Sequence, residues 1–226
     1  MLTERVGEAF ARPVDALARV LSRFSPDFLT LTGLILNGVA CTLFALSGSK
    51  GCPNPSLLRA GGAVALAAAI FDMMDGRGAR LRGRETTFGA FLDSTMDRYS
   101  DMVLYMGLML LYARMEKTPY MGVGGVAAFG SVMTSYARAR AESLIARCTV
   151  GFLERPERIV LLVVGALSNR MGAVLWIIAV LSNVTALQRV VYTLLSLKRG
   201  FGLTRTATGA RGPGNGLANG PGLTVP

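Results

Sequence analysis

The chain has 226 residues, 51% of them hydrophobic, with a mean hydropathy of +0.44 and a formal net charge of +10. That length suits one domain, and the hydropathy lies above that of an ordinary soluble domain, so a membrane protein is the first expectation. There is no histidine, and Cys41, Cys52 and Cys148 show no paired spacing; Ser-His-Asp triads and histidine metal sites are excluded, and a disulfide framework has no support.

Residues 1–25 do not read as a secretory signal, because Glu4, Arg5, Glu8, Arg12, Asp15, Arg19 and Arg23 interrupt any apolar core. Val6, Phe10, Val14, Leu17, Val20 and Leu21 recur near helical spacing. They predict an amphipathic helix lying in a membrane interface. Pro26 and Asp27 open the next helix: Ser25 or Asp27 can cap it, and proline fits a first turn. Phe28 to Ser47 carries no charge over twenty residues, enough to cross about 30 Å of hydrocarbon. Gly48 to Pro55 reads as a loop. Leu57 to Phe71 is the apolar part of a second span, with Arg59 placed to snorkel at its outer end. That helix continues through Asp72 and Asp75 towards Arg80.

A third helix runs from near Thr86 to about Ala113. Asp93, Asp97, Arg98 and Asp101 lie in its first half, and Met102 to Ala113 is apolar. Met121 to Ala137 is a fourth span rich in Gly122, Gly124, Gly125, Ala127, Ala128 and Gly130, residues that permit close helix approach or a dimer contact. Pro156 to Ser168 is a fifth, short enough to need shielding by its neighbours, and Met171 to Leu187 a sixth. The expected fold is therefore an all-α integral membrane protein. It has six transmembrane helices over 26–198, preceded by the interfacial helix of 1–25. From 199 to 226 glycine and proline are dense, which predicts a disordered basic tail.

Six spans place both termini on one side. The segments on that side, 1–25, 77–85, 138–158 and 189–226, hold eighteen of the twenty-four Lys and Arg. By the positive-inside rule the termini face the cytoplasm, so the chain is a multi-pass cell-membrane protein and its charge does not call for nucleic acid.

The most informative stretch joins the second and third helices. Asp72 and Asp75 share one helical face, and Asp93 and Asp97 stack one turn apart, with Gly89 a turn below. Charge at a membrane helix end is costly, and its retention marks a functional site. Four carboxylates without histidine suit a hard divalent cation, Mg²⁺ or Mn²⁺, rather than zinc.

The spacing D-x2-D-G-x2-A-R-x8-G-x3-D-x3-D, filled by Asp72, Asp75, Gly76, Ala79, Arg80, Gly89, Asp93 and Asp97, resembles the signature of the CDP-alcohol phosphotransferase family. The resemblance implies a metal-dependent transferase acting on a CDP-activated lipid such as CDP-diacylglycerol, with CMP as the leaving group. Pro26 with Asp27, Phe28, Leu29 and Thr30 resembles a family element that touches the cytidine nucleotide. Gly76 lets the nucleotide approach the backbone, and Arg80 can pair with its phosphates. Thr86 resembles a Ser or Thr that contacts the CDP-lipid, and it can also cap the third helix. The attacking hydroxyl needs a base. A carboxylate at the edge of a metal cluster can keep enough basicity, an argument that leaves Asp93 and Asp97 level; the resemblance implies Asp97.

Further cations lie on the same side. Ser135-Tyr136-Ala137-Arg138-Ala139-Arg140-Ala141-Glu142 ends the fourth helix, Glu154-Arg155-Pro156-Glu157-Arg158 begins the fifth, and Gln188-Arg189 lies on the sixth. Three helices aiming arginine at one face suit a phosphate-bearing acceptor; each arginine taken singly fits plain positive-inside decoration. These segments resemble the branch of the family that makes phosphatidylinositol phosphate. That implies 1D-myo-inositol 3-phosphate as acceptor, with Ser135, Arg138, Arg155 and Arg189 around its phosphate, and a homodimer. The rival readings are glycerol 3-phosphate as acceptor, another reaction of the family, and a non-catalytic membrane protein.

Overall fold

A computed structural model describes the backbone of residues 26–81, 86–145 and 147–209, and the side chains of 31–73, 86–145 and 147–198. The expected interfacial helix of 1–25 lies outside these residues. Among the described residues six helices follow in order: α1 Pro26–Ser47, α2 Pro55–Leu81, α3 Thr87–Arg114, α4 Thr118–Glu142, α5 Arg155–Leu167 and α6 Met171–Gly209. Their starts follow local chemistry. Thr86 has extended backbone and its hydroxyl accepts from the Gly89 amide at 2.9 Å, capping α3. The Asn54 side chain accepts from the Ser56 amide at 3.0 Å ahead of α2. Prolines sit in the first turns of α4 and α5, where the missing amide costs nothing.

The helices alternate in direction and close into a ring. Following contacts round the bundle, α1 packs on α3, α3 on α4, α4 on α6, α6 on α5, α5 on α2, and α2 back on α1. One end is tied by the Arg114 guanidinium, which donates to the Ala45 carbonyl at 3.2 Å, and by Tyr112 stacked on Tyr120 with centroids 5.1 Å apart. The core contains Phe44, Leu58, Leu104, Leu108, Leu111, Leu162, Leu175 and Ile178, all buried. A buried hydrogen bond joins the Tyr105 and Ser131 hydroxyls at 2.8 Å across α3 and α4. The outer faces are apolar too: Ile35, Val126, Phe129, Val160, Trp176, Val180 and Leu187 are exposed. A bundle apolar on both its inner and outer surfaces is built for lipid. By length and composition, Pro55–Met73 and Met171–Lys198 can each cross a membrane, and Leu31–Ser47 is a shorter apolar helix.

Helix seams rely on small residues, since packing of backbones rather than water exclusion holds membrane helices together. A Cβ at Gly107 would lie 2.6 Å from the Cys41 carbonyl oxygen, so α1 and α3 touch backbone to backbone. A Cβ at Gly130 of the glycine-rich α4 would instead run into the Asn183 side chain of α6, whereas Gly122 has nothing within 4 Å. The small residues of α4 thus serve the bundle itself at Gly130. Gly107→Ala is expected to cost about 1–3 kcal/mol by forcing this seam apart, read as a lower unfolding temperature in detergent.

Helix α6 departs from expectation. Order was expected to end at 198, but the helix runs on to Gly209. The residues from Lys198 to Arg205 include leucine and basic residues of good helix propensity, and the first proline comes only at Pro213. The rest of the expected tail, 210–226, lies outside the described residues.

Candidate active site

At the end of the bundle opposite the Tyr112–Tyr120 stack, α2, α3 and α5 bring their charged ends together. Asp93, Asp97 and Asp101 recur every fourth residue on α3 and so lie along one face. Asp72 closes on them from α2. The Asp93 charge acts on both Asp72 and Asp97. Asp72 fits so tightly against α1 that a Cβ at Gly33 would collide with its Oδ1; a glycine there is what lets the carboxylate in.

Arg155, the first residue of α5, reaches into the middle of these acids. Its Nη2 donates to Asp72 Oδ2 at 2.8 Å, its Nη1 pairs with Asp97 Oδ1 at 2.7 Å, and its Nε donates to Asp101 Oδ1 at 3.2 Å. One planar fork with fixed donor directions serves three carboxylates from two helices, a task a lysine ammonium would not perform. Asp101 is buried and gives its other oxygen to Arg158 Nη2 at 3.1 Å. Arg158 is itself only 1% exposed.

Beside this row opens a cavity of about 360 Å³, lined by Asp97, Arg98 and Asp101 of α3, Thr134, Ser135 and Arg138 of α4, Glu154, Arg155 and Arg158, and Arg189 of α6. Arg189 is held rigidly. It donates through Nε to the Val150 carbonyl at 2.9 Å, through Nη1 to the Thr134 carbonyl at 2.8 Å, and through Nη2 to Glu154 at 3.1 Å. Glu154 also accepts from Arg138 Nη1 at 2.9 Å. The loop that carries Glu154 packs on Arg189 through Gly151, whose φ of +139° is open to glycine and strained for other residues.

The structure therefore gathers Ser135, Arg138, Arg155 and Arg189, named in the sequence for an acceptor phosphate, around one cavity. It also sets Asp97 in the wall of that cavity. Asp72 and Asp97 come together on Arg155, so Arg155 belongs to both groups. Thr86 is the cap of α3. Asp27, Phe28, Leu29 and Thr30 fall in the first turns of α1, and Asp75, Gly76 and Arg80 in the last turns of α2, but their side chains lie outside the described residues. Sequence reasoning assigned no role to Asp101, Glu154 or Arg158. The signal for two of them was present: Asp101 is one turn beyond Asp97, and Arg158 one turn beyond Arg155.

Whether these residues fit a divalent cation can be judged from the donors. Asp72 and Asp97 converge on one cationic group, and both offer it carboxylate oxygens. That is the chemistry of a Mg²⁺ or Mn²⁺ site. Among the described residues no three acids close around one point, because the Arg155 guanidinium stands between them.

A family model described as CDP-alcohol phosphatidyltransferase matches residues 23–197. The archaetidylinositol phosphate synthase of Methanothermobacter thermautotrophicus is 38% identical over 180 residues, covering 76% of this chain and 84% of its own. The phosphatidylinositol phosphate synthase of Mycobacteroides abscessus is 38% identical over 193 residues, covering 80% and 84%. Among solved structures, the phosphatidylinositol phosphate synthase of Mycobacterium tuberculosis with CDP-DAG bound superposes with a TM-score of 0.70 at 33% identity, covering 80% of this chain and 94% of that one. The same enzyme in complex with manganese and citrate also gives 0.70, covering 80% and 88%.

Proposed function

The chain belongs to the CDP-alcohol phosphatidyltransferase family, and we propose that it moves the phosphatidyl group of CDP-diacylglycerol to 1D-myo-inositol 3-phosphate, releasing CMP. The observation that carries the acceptor is the cavity in which Asp97 shares a wall with Ser135, Arg138, Arg155 and Arg189. Several guanidiniums converging from three elements suit a phosphomonoester dianion, which offers three acceptor oxygens. The inositol phosphate synthases among its relatives support the same choice.

Asp72, Asp75, Asp93 and Asp97 would hold Mg²⁺ or Mn²⁺. Such a cation, when bound, neutralises charge on the donor's phosphates as the phosphorus is attacked. The other steps belong to the chain. Arg80 pairs with the pyrophosphate, Gly76 admits the nucleotide to the backbone, and Thr86 with Asp27, Phe28, Leu29 and Thr30 receives the rest of the CDP group. The arginines seat the acceptor phosphate and so turn its hydroxyl towards Asp97. Asp97 takes the hydroxyl proton as the oxygen bonds to the lipid-bearing phosphorus, and the bond from that phosphorus to CMP breaks.

In the same reading 26–198 is a six-span unit with 1–25 lying in the interface. Both termini and the site face the cytoplasm, and the enzyme works as a homodimer. Apolar outer faces and the one-sided distribution of Lys and Arg support the topology.

The test offers purified protein CDP-diacylglycerol, Mg²⁺ and one acceptor at a time, and follows CMP. Inositol 3-phosphate is expected to turn over and free inositol not. Turnover of glycerol 3-phosphate in its place would overturn the acceptor assignment and leave the transferase intact.

A further inference from the structure

We infer that Asp101 is a positioning residue for the acceptor phosphate, acting through Arg155 and Arg158 at the seam between the carboxylate row and the arginine-lined cavity. This rests on the acceptor reading above. Asp101 belongs to neither of the groups named so far. It lies one turn beyond Asp97, is 6% exposed, and spends both oxygens on guanidiniums of α5: Oδ1 on Arg155 Nε at 3.2 Å and Oδ2 on Arg158 Nη2 at 3.1 Å.

The pattern of donors distinguishes positioning from simple charge compensation. Neutralising buried Arg158 requires only one carboxylate contact. The second oxygen grips Arg155 at Nε, the inner edge of its fork, and this fixes the plane of the guanidinium. Nη1 and Nη2, the outer edge, are thereby aimed at Asp97 and Asp72. Arg158 locks the arrangement from behind: its Nη1 donates to the Leu153 carbonyl at 3.4 Å, at the root of the loop that carries Glu154. Its Nε is buried, has no partner among the described residues, and belongs to the side chain that lines the cavity wall.

Glu154 does for Arg138 and Arg189 what Asp101 does for Arg155 and Arg158. Asp101 and Glu154 thus each bridge two guanidiniums that would otherwise repel one another beside a cavity of about 360 Å³. An amide cannot replace the inner brace. Asparagine offers one acceptor oxygen where two are needed, and it turns its NH₂ towards a cation.

The experiment is full-length Asp101→Asn in nanodiscs, with CDP-diacylglycerol and inositol 3-phosphate varied separately. The acceptor KM is expected to rise about ten-fold or more, the loss of one charge-assisted hydrogen bond, with the donor KM within about two-fold of wild type. Equal changes in both, or a fall in kcat alone, would overturn the inference. Because Asp101→Asn strands a buried charge, the double variant Asp101→Asn with Arg158→Gln is measured beside it. That variant is expected to unfold near the wild-type temperature and to show an acceptor KM above that of Arg158→Gln alone; an acceptor KM equal to that of Arg158→Gln would mean Asp101 merely compensates Arg158. Wild-type enzyme run in parallel separates the two readings, since its refusal of inositol 3-phosphate counts against the acceptor assignment and not against Asp101.

Discussion

Asp97→Asn is expected to lower CMP release by about a thousand-fold or more while the protein remains folded, the usual cost of removing a positioned general base. The substitution keeps shape and one acceptor oxygen but removes the charge that takes the proton. Of Asp72, Asp93 and Asp97, Asp97 is the one that also lines the acceptor cavity. It is therefore the acid with access to both the reacting hydroxyl and the cation-binding row. Asp93→Asn is the comparison that makes the result specific. A residue that serves only to hold metal should lose activity that added Mn²⁺ partly restores. Loss at Asp97 should persist at any metal concentration, because the missing group is the base. Metal titration followed by the Mn²⁺ signal, alongside CMP release, separates the two. If Asp97→Asn kept a tenth of the activity, or if Mn²⁺ rescued it fully, the base would have to be sought elsewhere.

What could be read from the chain without coordinates was whatever is local. Asp72 with Asp75 and Asp93 with Asp97 are each related by one helical turn, so spacing alone places each pair on one face. Helix starts were legible for the same reason: Thr86 accepts from an amide three residues on. The ring order α1–α3–α4–α6–α5–α2 was not, because helices with apolar outer and inner surfaces carry little periodic signal about which neighbour they choose. Spacing alone gave the arginines only as three segments facing one way, and it was the family resemblance that implied Ser135, Arg138, Arg155 and Arg189 around one phosphate; that they enclose one space is a fact of packing. Asp101 and Glu154 were given no role in the site because partners of theirs lie 57 and 35 residues away along the chain. The tail was expected from 199 because glycine and proline are dense there and no apolar period appears, whereas the helix takes in Gly200 and Gly202 and runs to Gly209. An isolated glycine lowers helix stability by about 1 kcal/mol, too little to end it.

Arg155 carries the second large effect, because it is where the two halves of the site meet. Arg155→Ala is expected to reduce kcat/KM for the acceptor by about a thousand-fold, the loss of roughly two charge-assisted hydrogen bonds at 1.5–3 kcal/mol each. The donor should suffer too, since Asp72, Asp97 and Asp101 would then face one another with one fewer cation among them. The acceptor loss should nevertheless exceed the donor loss by about ten-fold, as donor phosphates retain Arg80 while the acceptor loses a wall of its cavity. Arg155→Lys is the sharper measurement. It preserves the charge and sacrifices the fork, and a single ammonium has no fixed geometry with which to meet three carboxylates at 2.7, 2.8 and 3.2 Å. It should recover no more than about a tenth of wild-type acceptor kcat/KM. If lysine restored activity to within about two-fold, charge alone would suffice at this position. The planar guanidinium would then not be what joins the carboxylate row to the acceptor cavity.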